Sequence, residues 1–149
     1  MKLTSPDGSS LSLTILGYQF PALEGEEYDS NWLLVRVDVK TPTASWSSTD
    51  PCLLTYEVAQ LADWLEQLGT GRPPERTIGF IEPNLEFSVV EAGPAKQVLR
   101  IRLALECRPP SVPRGGHAQI DFPLAEIDLK SAAADLLAQL RRYPPRASK

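Results

Sequence analysis

Three stretches of this chain alternate apolar and polar side chains residue by residue, and a period of two fits half-buried β-strands and little else. In Ser9–Gly17, Leu11, Leu13 and Ile15 share one side while Ser10, Ser12 and Thr14 share the other. In Asn31–Lys40, Leu33, Val35, Val37 and Val39 form a core side opposite Trp32, Leu34, Arg36, Asp38 and Lys40. In Gln97–Cys107, Leu99, Ile101, Leu103 and Leu105 oppose Arg100, Arg102, Ala104 and Glu106. Further strands are predicted at Ser45–Leu54, with a bulge or kink at Asp50-Pro51, and at Ala118–Leu124. Arg76–Glu82 and Asn84–Glu91 flank Pro83 and read equally as one bent strand or two.

Two segments follow a helical period instead. Val58, Leu61, Leu65 and Leu68 form a stripe with Trp64 at its edge; Thr55 is the expected N-cap, Glu57 lies in the first turn, and Gly69 or Gly71 ends the helix. Leu129, Ala132, Ala133, Leu136, Leu137 and Leu140 repeat the pattern in a second helix, expected to reach about Arg142 before Pro144-Pro145 stops it. The 14 prolines fall between apolar runs, which marks many short elements with sharp boundaries. Arg72-Pro-Pro-Glu75 reads as a linker and Arg108–Gly116 as a loop. Strands grouped as three and then four, with two lone helices, predict an α+β fold: an antiparallel sheet of about six to seven strands with two helices packed against it. At 149 residues the chain suits a single domain, 1–149, with short flexible ends at about 1–8 and 144–149.

A domain of this size buries roughly 70% of the surface its unfolded chain exposes, so it needs no disulfide or metal to fold. Met1-Lys2-Leu3-Thr4-Ser5-Pro6-Asp7 lacks the apolar centre of a signal peptide, and no apolar run nears the ~20 residues of a membrane helix. A cytoplasmic location without membrane contact is therefore expected. In a reducing compartment Cys52 and Cys107, both in strand-like apolar runs, are expected to be buried free thiols.

Charge is divided unevenly. Met1–Glu91 holds 14 acidic and five basic residues, a net −9; Ala92–Lys149 holds five acidic and ten basic, a net +5. Such polarity suits a cationic partner. Four carboxylates, Glu24, Glu26, Glu27 and Asp29, crowd one predicted loop, and they could steer a basic protein. Arg36, Asp38, Glu86, Ser88, Arg100, Arg102 and Glu106 are expected on the sheet face opposite the core, either as a second contact region or as a solvated face with cross-strand ion pairs.

Catalytic equipment is sparse. His117 is the one histidine, it follows two glycines in a predicted loop, and no cysteine pair stands at metal spacing, so no metal site and no cofactor are expected. Serine or cysteine nucleophiles need an adjacent base, and Gly69-Thr-Gly71 ends a helix where a phosphate-binding loop would begin one. Glu82 and Glu106, at the ends of apolar strands, are the one candidate acid/base pair; otherwise each satisfies loop backbone or meets an arginine such as Arg108. The basic residues Arg141, Arg142, Arg146 and Lys149 read as a fraying tail, not as the basic, aromatic-interleaved stripe of a nucleic-acid binder.

Several segments carry a resemblance when taken together: Gly17-Tyr18-Gln19-Phe20-Pro21, Tyr28-Asp29-Ser30-Asn31-Trp32-Leu33, Ser45-Trp46, Asp50-Pro51-Cys52-Leu53, Phe80-Ile81-Glu82-Pro83-Asn84-Leu85 and Tyr143-Pro144-Pro145-Arg146. In this order and spacing, from Leu11 to Arg146, the chain resembles a family of small bacterial proteins, some of which are labelled WapI-type immunity protein. The resemblance implies an intracellular antidote that binds and blocks a contact-dependent toxin, a tRNA-cutting nuclease in the WapI case, without catalysis of its own. Glu24, Glu26, Glu27, Asp29, Asp38 and Glu86 are the candidate contacts for a basic toxin domain. Asn31, Trp32, Trp46, Cys52, Trp64, Glu82, Pro83, Asn84 and Glu106 are expected to hold the fold. The alternative is a non-enzymatic assembly protein that homodimerises through an edge strand or the Trp32–Leu34 face; the first reading also allows a monomer.

Overall fold

The alternating stretches do become strands, but they sort into two sheets. The computed structural model describes residues 1–71, 75–94 and 96–146. The first sheet is an antiparallel meander, β1 (Lys2–Thr4), β2 (Ser10–Tyr18), β3 (Trp32–Lys40) and β4 (Ser45–Leu54), paired in that order. Helix α1 (Thr55–Gly69) leads the chain away from β4. The second meander follows: β5 (Thr77–Gly79), β6 (Leu85–Glu91), β7 (Gln97–Ala104) and β8 (His117–Pro123), again antiparallel and in order. Helix α2 (Leu129–Leu140) closes the fold.

The expected single sheet of six to seven strands is thus two sheets of four. Pairing explains the split. β5 pairs with β6, and among the described residues β4 has no strand neighbour other than β3. The segments either side of Pro83 are therefore two strands of one hairpin. The polar face predicted as one surface divides with them: Arg36 and Asp38 lie on the first sheet, Glu86, Ser88, Arg100 and Arg102 on the second.

Leu11, Leu13, Leu33, Val35 and Val37 from the first sheet, Phe87, Leu99, Ile101 and Phe122 from the second, and Leu61, Leu65 and Leu136 from the helices share one apolar cluster. Each such side chain contributes about 1.5–3 kcal/mol on burial, against at most ~1 kcal/mol for an exposed ion pair such as Arg76–Glu91. The core decides the stability. The helices also approach closely: a Cβ placed on Gly69 would stand 3.0 Å from Lys130 Cγ and 3.3 Å from Leu129 Cβ, so the residue there is kept small.

Several local expectations are corrected. Leu54, not Thr55, caps α1, and the Glu57 carboxylate accepts the Leu54 N–H at 2.9 Å. Thr55 faces inward and donates its hydroxyl to Asn31 Oδ1 at 2.8 Å. The last long strand stops at Ala104, where Leu105 turns to φ 49° and opens a 3-10 turn, Leu105–Cys107; Leu105 is exposed and Glu106 leaves the sheet face. Leu137 lies on the open edge of the α2 stripe, and His117 opens β8 instead of lying in a loop. Residues 1–8, expected as a loose end, include β1, and the Met1 amino group donates to Leu13 O at 2.8 Å and pairs with Asp135. Most of the expected linker, residues 72–74, lies outside the described residues, as does Lys149.

Candidate functional site

The bulge predicted at Asp50-Pro51 determines where the two sheets meet. Leu33 pairs with Leu53 and Leu34 with Pro51, which leaves Cys52 as the extra residue. Proline suits such a site because it has no N–H to give the ladder. Beyond the bulge, Asp50, Ser48 and Trp46 stand opposite Val35, Val37 and Val39, on the core side of the sheet. These polar groups find partners in the second half of the chain. Trp46 Nε1 donates to Cys107 O at 2.9 Å, the Ser48 hydroxyl lies 3.5 Å from Cys107 Sγ, and Asn84 Nδ2 donates to Asp50 Oδ2 at 3.0 Å. Cys52 and Cys107 are both free and buried. The hydrogen bond it shares with Cys107, and then burial, push the Cys52 thiol up, whereas Cys107 is held down by that same hydrogen bond.

Glu82 and Glu106 come near this junction. The Asp50 carboxyl lies above its ordinary value, first through burial and then through the fields of Glu106 and Glu82. Arg108 does not neutralise them; its guanidinium donates to Leu105 O at 2.7 Å and Val112 O at 3.1 Å. Trp64 is elsewhere, with Nε1 bonded to Glu75 O at 2.7 Å.

A second focus is the acidic loop between β2 and β3. Glu24, Glu26, Glu27 and Asp29 are all exposed, and among the described residues none forms an ion pair. The backbone beneath them is tied down. Ser30 Oγ accepts the Glu26 N–H at 2.9 Å, Asn31 N–H reaches Tyr28 O at 2.8 Å, and Asn31 Nδ2 reaches Glu27 O at 2.8 Å. Asn31 is buried and also grips the chain end: its Nδ2 donates to Arg146 O at 3.0 Å and its Oδ1 accepts the Arg146 N–H at 2.8 Å.

Arg146 completes the latch. Its guanidinium lies 3.6 Å over the Tyr18 ring and donates to Phe20 O, Pro21 O and Leu23 O at 3.1, 2.9 and 2.6 Å. Tyr18 in turn donates to Pro144 O, and Tyr143 to Leu16 O. The residues expected as a fraying tail therefore include a built-in strap. Gly17–Pro21, Tyr28–Leu33 and Tyr143–Arg146 are far apart in sequence, and this strap brings them together. Their joint appearance was the one sequence signal for it.

A match over nearly the whole chain settles its family: the model of the immunity protein WapI-like family covers residues 2–144. The chain belongs to that family. No curated protein and no solved structure matches it.

Other candidate contacts of this family member are less open. Asp38 is bound by Arg36 Nε at 3.1 Å; burial pushes its carboxyl up, but the hydrogen bonds from Arg36 and Ser47 and the charge of Arg36 outweigh it and leave it below the ordinary value. Glu86 is exposed but sits opposite Arg102 in the ladder. Trp32 and Leu34 are half-buried, a poor apolar patch for a dimer. Phe20 and Tyr28, by contrast, are 43% and 50% exposed beside the acidic loop. Tyr56 at the start of α1 is on the same rim: burial raises its hydroxyl, and Tyr28, Glu57 and Glu27 raise it further. Phe20 and Tyr28 stand in the segments that carry the resemblance but not among the expected contacts, because nothing in the sequence marks a single ring as exposed. Another groove, of about 550 Å³ between β1, β2 and α2, holds the Met1–Asp135 pair. Among the described residues no three histidine, cysteine or carboxylate side chains are placed to hold a metal, and no helix is long and apolar enough to cross a membrane.

Proposed function

We propose that this chain is a toxin-neutralising antidote that works by binding, without catalysis, and that its acidic loop meets a basic surface of a cognate toxin domain in the cytoplasm. A nuclease is the natural target, because proteins that hold phosphate backbones are basic. Membership in the immunity family supports the antidote role. The observation that carries the contact surface is the loop itself: four exposed carboxylates within six residues, free of ion pairs among the described residues, on a backbone latched from below.

Unpaired surface charge speeds encounter with an opposite field, and close pairing then slows release. The latch means that little loop ordering is lost on binding. Phe20 and Tyr28 supply the exposed rings that anchor many interfaces. The test is growth rescue and direct binding with the toxin domain encoded beside this gene. Wild type should rescue growth and bind tightly, and Glu26→Lys with Glu27→Lys should weaken binding by at least about tenfold, the loss of one good charge pair. Wild-type binding that the double charge reversal leaves intact would remove the loop from the interface.

A further inference from the structure

Arg146 binds the backbone that leads into four carboxylates and pairs with none of them. Among the described residues it enters no ion pair. Its Nη1 donates instead to Phe20 O and Leu23 O, at 3.1 and 2.6 Å, and its Nη2 to Pro21 O at 2.9 Å. The Tyr18 ring covers the guanidinium, with Cζ 3.6 Å from the ring centroid. That ring is itself fixed, edge-on to Tyr143 and bonded through its hydroxyl to Pro144 O at 2.6 Å. Three carbonyl oxygens turned to one point oppose each other unless N–H donors stand between them. A guanidinium meets that demand, because it is planar, spreads its donors in a fork, is weakly hydrated and stacks on an aromatic face. The compact, strongly hydrated ammonium of lysine fits such a site poorly.

The same residue holds both ends of the acidic loop. At the entrance its side chain takes Leu23, one residue before Glu24. At the exit its backbone takes Asn31, two residues after Asp29, through its N–H to Oδ1 at 2.8 Å and its carbonyl from Nδ2 at 3.0 Å. Between these points Gly25 turns the chain at φ 87°, and Ser30 Oγ accepts the Glu26 N–H. We propose that Tyr18 and the carbonyls of Phe20, Pro21 and Leu23 form a guanidinium-binding site, that Arg146 is its resident occupant, and that filling it sets the shape in which the loop carboxylates meet the partner. Only the last step rests on the partner-binding reading above. Arg146 is thus a positioning residue: its donors are taken up by carbonyls, so it shapes the loop and leaves the carboxylates open.

The test begins with the full chain alone, by amide hydrogen exchange followed by NMR. The reporters are the amides of Leu23, Glu26, Ser30 and Asn31, which donate to Phe20 O, Ser30 Oγ, Glu26 O and Tyr28 O. In Arg146→Ala these should exchange at least about tenfold faster, with the amides of Leu99 and Ile101 in the second sheet unchanged. N-ethylguanidinium in the millimolar range should restore slow exchange to that variant, and ethylammonium should not. Arg146→Lys, which keeps the stem and the charge, should exchange like the alanine variant, and it serves in its place should alanine lose protection throughout. Wild-type loop exchange in either variant, no recovery with ethylguanidinium, or equal recovery with ethylammonium would each overturn the assignment. The last step is read with a toxin domain that the wild-type chain protects against in growth rescue. Arg146→Lys should there raise the dissociation rate at least about tenfold and change the association rate by less than about threefold, since all four carboxylates remain to steer encounter. An unchanged dissociation rate would overturn that step. Failure of the antidote reading registers separately, as no rescue and no binding by the wild-type chain.

Discussion

Replacing Asn31 tests how much of the molecule hangs on one amide. Its side chain makes four hydrogen bonds to three separate segments: from Nδ2 to Glu27 O and Arg146 O, at 2.8 and 3.0 Å, and to Oδ1 from Thr55 Oγ1 and the Arg146 N–H, both at 2.8 Å. At a net ~1 kcal/mol each these give about 4 kcal/mol, and a stranded buried hydroxyl adds about 1–3. The stranded group is Thr55, which is 0% exposed. Water can reach the loop and strap sides of the gap, which returns part of the loss. Asn31→Ala should therefore destabilise by about 3–5 kcal/mol, a fall of roughly 6–20 °C in Tm for a chain of this length. Asn31→Asp separates geometry from size. It keeps both acceptor bonds, but at neutral pH it points a carboxylate oxygen at the carbonyls of Glu27 and Arg146. The folded pKa of that aspartate is raised, so its penalty is absent below the unfolded value of about 3.9 and grows as pH rises through the folded one. At pH 7 Asn31→Asp should be no more stable than Asn31→Ala, and the order should reverse below about pH 4. Urea and thermal unfolding followed by tryptophan fluorescence measure both. An alanine variant within ~1 kcal/mol of wild type, or an aspartate variant more stable than alanine at pH 7, would refute the reasoning.

Two further variants probe the sheet junction. Because the Asp50 carboxyl is raised in the folded chain, the unfolded chain loses that proton first as pH climbs, and stability falls between the ordinary 3.8 and the folded value. Asp50→Asn should thus melt higher than wild type at pH 7, with the gap closing below about pH 4; an equal or lower melting point at pH 7 contradicts the raised pKa. Leu103 and Leu105 look alike in the alternating pattern, but only Leu103 is in the core. Leu103→Ala should cost about 2–5 kcal/mol, whereas Leu105→Gly should be neutral or stabilising by up to ~1 kcal/mol as the positive φ is relieved. Equal losses at the two positions would sink that distinction.

Period-two alternation made β2, β3 and β7 legible, because burial of one face writes itself into every second residue. Even the Asp50-Pro51 bulge was readable, since a proline inside a strand is confined to edges and bulges. What alternation does not encode is which strand lies beside which. The division into two sheets depends on β5 choosing β6, a pairing that no local pattern fixes. β1 is only three residues long and offers no period to read. Leu105 fits the strand pattern and fails in space because one backbone angle reverses the chain's direction. In the loop, clustered carboxylates were plain in the sequence, but their latch was not: Asn31 and Arg146 are 115 residues apart, and a C-terminal arginine looks like a tail until its carbonyl partners are seen. The Asp50–Asn84 contact, 34 residues apart, was hidden for the same reason.

In the proposed function, open negative charge on the latched loop does the work. It is tested by the affinity of the purified chain for a candidate cognate toxin domain that it protects against in growth rescue, taken across a salt series, for wild type and for Glu26→Lys with Glu27→Lys. Wild-type affinity should fall as salt screens the pairing, and the charge-reversed chain should bind at least about tenfold more weakly with a flatter salt dependence. Tight binding that is indifferent both to salt and to the reversal would contradict it.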